Sequence, residues 1–229
     1  MKKYLWFIAI ISFCLWCTSC FEYTQAVSYS QNNYNITYNF MLSKALFAMS
    51  GQNINDFLDQ LSNDGAFSDE VKEQGQKPTQ IETDDLFGIT GSFSIPLETN
   101  NQNNIIQPDF TDLNDLLPKK QDDKLYIKLL LANQMRNELL SEGKNNQAEK
   151  ISKDFAALLL SSAKCKITID KSLAKNITEA YFEGTDGKKY IVKLIDYDTY
   201  WSAEIPFMKV FYDDQYNFEY LILKVSDLL

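Results

Sequence analysis

The sequence predicts an α+β fold: an antiparallel sheet made from an N-terminal hairpin and C-terminal strands, with a central helical segment packed on one face. Three observations lead there. Apolar side chains alternate with polar ones through residues 22–40, the same period-two pattern returns in short runs after Lys164, and helical i, i+3, i+4 spacing fills segments between them.

Tyr23, Val27 and Tyr29 alternate with Glu22, Thr24, Ala26 and Ser28. After Ser30-Gln31-Asn32-Asn33, Tyr34, Ile36, Tyr38 and Phe40 alternate with Asn35, Thr37 and Asn39. Such patterning around an Asn-rich turn is a β-hairpin with one buried face. Ala45, Leu46 and Met49 suggest a short helix, and Ile54, Phe57, Leu58 and Leu61 form a helical stripe behind an Asn53 cap that packs on that face. Residues 62–80 are polar, with Gly65, Gly75 and Pro78, and read as a long loop. Ile89, Phe93, Ile95 and Leu97 then mark another strand.

A polar connection near 98–120 opens on Asn100-Asn101-Gln102-Asn103-Asn104 and contains Pro108 and Pro118; a surface loop is the reading, with a domain boundary as the alternative. Two helices are expected next, Asp122–Ser141 and Gln147–Ser162, joined through Glu142-Gly143-Lys144-Asn145-Asn146. Strands follow over Lys164–Asp170, Ile177–Glu183, Lys188–Ile195, Ile205–Tyr212 and Asn217–Val225, with a turn at Thr185-Asp186-Gly187. No repeat of fixed period occurs.

The first residues have a different character. Met1-Lys2-Lys3 precedes an apolar run from Tyr4 to Trp16, and small residues lead to a cysteine in Cys17-Thr18-Ser19-Cys20. A basic head, a short apolar core and small residues at the exit make a secretory leader. A helix of about 13 residues covers only ~20 Å, short of the ~30 Å hydrocarbon core, so removal is expected rather than retention as a span. The exit segment resembles the lipobox of bacterial lipoproteins, in the looser form found in spirochaetes, because Cys17 stands where that family usually has Leu, Val or Ile. The resemblance implies that residues 1–19 are removed and that Cys20 is lipidated as the mature N-terminus. Ordinary cleavage after Ser19 with an unmodified Cys20 is the alternative. The hairpin starting just after the cysteine is also similar to LppM-type lipoproteins. Several acyl chains, at roughly 0.8 kcal/mol per buried methylene, would hold a protein to a membrane permanently.

The mature chain of 20–229 is 229 less 19, or 210 residues, read as one α+β envelope domain. Removing Lys2 and Lys3 leaves 20 basic against 31 acidic side chains, a balance that repels phosphate backbones and anionic headgroups and argues against nucleic acid as a partner. Histidine is absent and Arg136 is the sole arginine. Ser-His-Asp and Cys-His catalysis and His-ligated metal sites are thereby excluded, as is recognition of phosphate by clustered guanidinium groups.

Candidate chemistry is sparse. Zinc binding by Cys14, Cys17 and Cys20 has the right spacing but lies in the targeting run. Cys165 alternates with Ile167 and Ile169 and reads as a buried hydrophobe. Asp109, Asp112 and Asp115, or Asp213 and Asp214, lack EF-hand spacing. The segment Asp196-Tyr197-Asp198-Thr199-Tyr200-Trp201 places carboxylates beside aromatic rings at a strand end or turn. Asp196, Asp198, Tyr200 and Trp201 are therefore the candidate ligand-binding residues, for a sugar, an amine or a peptide cation, with aromatic packing at a sheet corner as the plainer reading. No catalytic residue, metal or cofactor is expected.

These observations predict a membrane-anchored bacterial lipoprotein of the cell envelope, on the outer membrane or the periplasmic face of the inner membrane, with surface exposure as a further placement. Its domain would serve non-catalytic binding, assembly or surface structure, with an envelope protein as partner. The alternatives are a glycosidase-like hydrolase working through paired carboxylates and a small-molecule or lipid binder.

Overall fold

The computed structural model describes residues 21–45, 48, 79–99, 105–106, 116–130, 163–184, 186–212 and 215–226. Alternating inward side chains make Phe21–Ser30 (β1) and Asn33–Ser43 (β2) a hairpin in continuous antiparallel register from Phe21↔Leu42 to Ser30↔Asn33. Gln31 and Asn32 both take positive φ, 51° and 60°, the conformation of a two-residue type I′ turn. Thr79–Glu82 (β3) and Leu86–Pro96 (β4) extend this sheet, and β4 lies along all of β2. Glu98–Thr99 (β5) and Ile105–Ile106 (β6) form a small separate ribbon.

Lys119–Gln121 (β7) and Lys124–Lys128 (β8) pair around a turn in which Asp122 has φ 53°. Further on come Lys164–Asp170 (β9), Ile177–Gly184 (β10), Lys189–Ile191 (β11), Leu194–Asp196 (β12), Tyr200–Pro206 (β13), the six-residue helix Phe207–Tyr212 (α1) and Tyr216–Val225 (β14). Seven strands join in the order β12-β13-β9-β1-β2-β4-β3, and five in the order β11-β10-β14-β8-β7. One apolar core takes side chains from both sheets, among them Tyr34, Ile36 and Ile169 from the first and Ile127, Phe182 and Leu221 from the second.

This architecture corrects the α+β expectation. The described residues are mostly strand, 69%, in two mainly antiparallel sheets, without a central helical segment on one face. The helix expected over Asp122–Ser141 is a turn and strand through Lys128, because Lys124-Leu125-Tyr126-Ile127-Lys128 alternates with period two and buries Leu125 and Ile127. Ile205–Tyr212 was expected as a strand; instead β13 ends at Pro206 and α1 follows, with Phe207 and Val210 both turned into the core at helical spacing. The strand expected over Lys188–Ile195 divides into β11 and β12, which belong to different sheets. The polar stretches 62–80 and 98–120 supply β3, β5, β6 and β7 at least in part. The stripe at Ile54–Leu61 and the helix over Gln147–Ser162 lie outside the described residues, as do Asp109, Asp112, Asp115, Asp213 and Asp214.

The pairing is not purely antiparallel either. β1 runs parallel to β9, from Glu22↔Lys164 to Val27↔Ile169, and more than a hundred residues separate the partners. Local alternation carries no information about such a contact.

Candidate functional site

Residues 196–201 form the tip of the β12–β13 hairpin. Asp196 pairs with Trp201 in the ladder, and the Tyr197 N–H donates to the Tyr200 carbonyl at 2.9 Å, closing the turn. Tyr197 and Tyr200 stack with centroids 4.6 Å apart and planes 21° from parallel. β13 is antiparallel to β9, and Tyr200 stands opposite Asp170 while Pro206 stands opposite Lys164. Lys164 is the residue beside Glu22 in the parallel pair. The tip therefore lies at the end of the seven-stranded sheet remote from Phe21, about 20 Å away at ~3.3 Å per residue.

The predicted site residues are brought together, and the polar groups of Asp196 and Trp201 are already engaged. The Asp196 carboxylate accepts from Lys171 Nζ at 2.6 Å, and the same ammonium lies 5.2 Å from the Trp201 ring centroid. Trp201 Nε1–H donates to the Ala174 carbonyl at 3.1 Å, and the Lys171 N–H donates to the Thr199 carbonyl at 3.0 Å. The β9–β10 turn is thus fastened to the hairpin by a cation, an indole and a backbone bond. Trp201 packs against the core and Asp198 is exposed at the tip. What this arrangement offers is a stacked pair of tyrosine rings, Tyr197 exposed and Tyr200 half-buried, beside the exposed Asp198. Among the described residues no group of three or more Cys, Asp and Glu side chains is arranged to hold a metal ion.

Cys165 is buried, 3% exposed, and burial pushes its thiol well above the ordinary range. A protonated thiol in an apolar layer is a packing group, not a nucleophile. Cys20, Cys14 and Cys17 lie outside the described residues.

Reading by residue type missed one buried polar centre. Gln25 sits on the inward face of β1 between Tyr23 and Val27, fully buried. Its Nε2 donates to the Lys128 carbonyl at 2.8 Å, and its Oε1 accepts from the Leu130 N–H at 3.0 Å and from the Tyr23 hydroxyl at 2.8 Å. Lys128 ends β8, so this amide joins the two sheets. The signal was its odd-numbered place in the β1 alternation.

Comparison with protein-family models, with curated proteins and with solved structures found no match.

Proposed function

We propose that this chain is a bacterial envelope lipoprotein, held to a membrane through Cys20, whose β domain acts in binding, assembly or surface structure without catalysis. The observation that carries this reading is the seat of Phe21. It is the residue directly after Cys20, it opens β1, and it is 2% exposed. Its ring meets Phe40 at 4.8 Å and Phe207 at 4.2 Å, both edge to face. A lipid on Cys20 would then join the folded body with no tether between them, so the anchor would fix orientation as well as location. In that orientation the Tyr197–Tyr200 tip, at the far end of the sheet, points away from the bilayer. The engaged Asp196 and Trp201 favour a contact surface there over a hydrolytic pair.

Metabolic labelling with palmitate and membrane fractionation test the reading. The wild-type chain is expected to take up label and sediment with membranes, and the Cys20→Ala chain to lose both. Unlabelled wild-type protein, or full membrane retention of the variant, would refute it.

A further inference from the structure

One broad stretch of the seven-stranded sheet carries no charge. Residues 23–43, which make nearly all of the β1–β2 hairpin, and Leu86–Pro96 (β4) contain no Asp, Glu, Lys or Arg, in a chain of which 23% is charged. Register sets their outward side chains in three rows across three strands. One outer row is Thr24, Asn39 and Thr90, where Asn39 Nδ2 donates to Thr24 Oγ1 at 3.4 Å and Thr90 Oγ1 lies 2.5 Å from Asn39 Oδ1. The other is Ser28, Asn35 and Ser94, where Ser94 Oγ donates to Asn35 Oδ1 at 2.8 Å and Asn35 Nδ2 donates to Ser30 Oγ at 3.0 Å. Between them lie Ala26, Thr37 and Ser92, all exposed. Alternate positions such as Val27, Ile36 and Phe93 belong to the core, so all three rows face outward.

The amides of Asn35 and Asn39 tie the outer rows together and leave the middle row open. Neither the Thr37 nor the Ser92 hydroxyl has a hydrogen-bond partner among the described residues. At ~4.8 Å between strands and ~6.8 Å between alternate residues, the grid covers roughly 10 by 14 Å. Charge returns on the next strand, β9, where Lys166 stands beside Thr24 and Asp170 stands opposite Tyr200.

The chemistry of the face selects among occupants. A polyanion is repelled by a net charge of −9, and a cationic partner finds no carboxylate in the grid. An apolar partner needs an apolar patch, and this face is built of hydroxyls and amides. The grid matches a ligand that is itself uncharged and carries donors and acceptors at short intervals, because hydroxyl and amide groups supply both.

Aromatic surface stands on the same side of the sheet. Tyr200, at the outward position opposite Asp170, lies two strands from β1, ~10 Å away, and Tyr197, 44% exposed, stacks on it. Asp170 on the strand between is engaged through Oδ1, which accepts from the Ser172 N–H at 2.7 Å. A sugar ring presents C–H groups on one face, which rest on aromatic rings, and hydroxyls around its rim, which bond to amides and hydroxyls.

We propose that the outward face of the seven-stranded sheet, around Thr37, Ser92, Asn35 and the Tyr197–Tyr200 pair, binds an uncharged polysaccharide. The inference deepens the binding role proposed above and rests on it, but not on lipidation.

The full chain carrying Cys20→Ala, in micelles of a polyoxyethylene detergent that has no sugar headgroup, is titrated with labelled dextran, cellohexaose and chitohexaose. A polyuronate serves as the anionic counterpart. Saturable binding to at least one of the three neutral glycans is expected, little changed between low and high salt. Thr37→Lys should weaken it roughly fivefold or more, and Thr37→Val/Ser92→Ala, which removes two hydroxyls without altering charge, roughly twofold or more. Tyr197→Ala should weaken it as well. Gln121→Lys, which adds the same charge on the exposed β7 of the other sheet, should bind as the parent does, and thermal melts establish that all variants are folded. Binding to none of the three, equal binding by folded Thr37→Lys, tighter binding to the polyuronate, or self-association of the chain that Thr37→Lys abolishes would overturn the proposal. Because no variant here can be acylated, the result is separate from that of the palmitate experiment.

Discussion

Gln25 and Leu130, 105 residues apart in the chain, are joined inside the molecule by a 3.0 Å hydrogen bond from the Leu130 N–H to the Gln25 amide oxygen. Together with the bond from Gln25 Nε2 to the Lys128 carbonyl, it ties the first strand of one sheet to the strand end of the other. Replacing Gln25 with Leu leaves that N–H, that carbonyl and the Tyr23 hydroxyl without their partner. Each buried group so abandoned costs roughly 1–3 kcal/mol, so Gln25→Leu should destabilise by at least ~2 kcal/mol in urea unfolding despite its apolar fit. A variant as stable as the parent would remove the amide from its bridging role.

Close approach of the backbone makes a second prediction. A Cβ at Gly88 would overlap the Phe40 carbonyl, and one at Gly91 would overlap the Tyr38 ring. A backbone carbonyl in the middle of a long ladder cannot withdraw as a side chain can. Gly88→Ala should therefore be the worse of the two substitutions, costing about 3 kcal/mol or more, and hydrogen exchange should show loosening of β2 and β4.

Much of this was legible beforehand, and the division has a physical basis. The Tyr34, Ile36, Tyr38 and Phe40 alternation located β2 because one face of that strand is buried and the other is not. Lys164–Asp170 was located to the residue for the same reason. At Lys124–Lys128 the five-residue pattern was absorbed into a longer apolar segment, since a short run is compatible with either period. Which strands are neighbours depends on long-range pairing, so the parallel β1–β9 contact could not be read locally. Residues 196–201 were found as a cluster, but their partners, Lys171 and the Ala174 carbonyl, come from another loop.

Alkaline pH should unfold the protein cooperatively. Burial raises the phenols of Tyr23, Tyr34 and Tyr38 above their ordinary 10.0 and the Cys165 thiol above 9.0, with Tyr38 pushed up to about 12. The unfolded chain releases these protons first, so it binds fewer protons than the native state, and stability falls as pH rises. The loss should begin near pH 9–10 and continue through about 12. Absorbance at 295 nm should show delayed ionisation of several tyrosines, coincident with loss of β-sheet circular dichroism. Simple titration of all tyrosines near 10 with the fold intact would contradict this.

At the hairpin tip the order of effects is the test. The Asp196 side chain is 57% exposed, so its ion pair with Lys171 is screened and Asp196→Asn should cost less than ~1 kcal/mol. Trp201→Phe removes the donor to the Ala174 carbonyl and part of a packed ring, and should cost about 1–3 kcal/mol in thermal unfolding. A larger loss from Asp196→Asn would mean that the carboxylate holds the hairpin and the indole does not.

The most direct measurement of the account as a whole is intact-mass analysis of the protein extracted from its native membrane, with sequencing of the N-terminal peptide. A chain that begins at Cys20 and carries the mass of a diacylglyceryl group and a further acyl chain is expected. A chain that begins elsewhere, or a Cys20 with an unmodified sulfur, would contradict it.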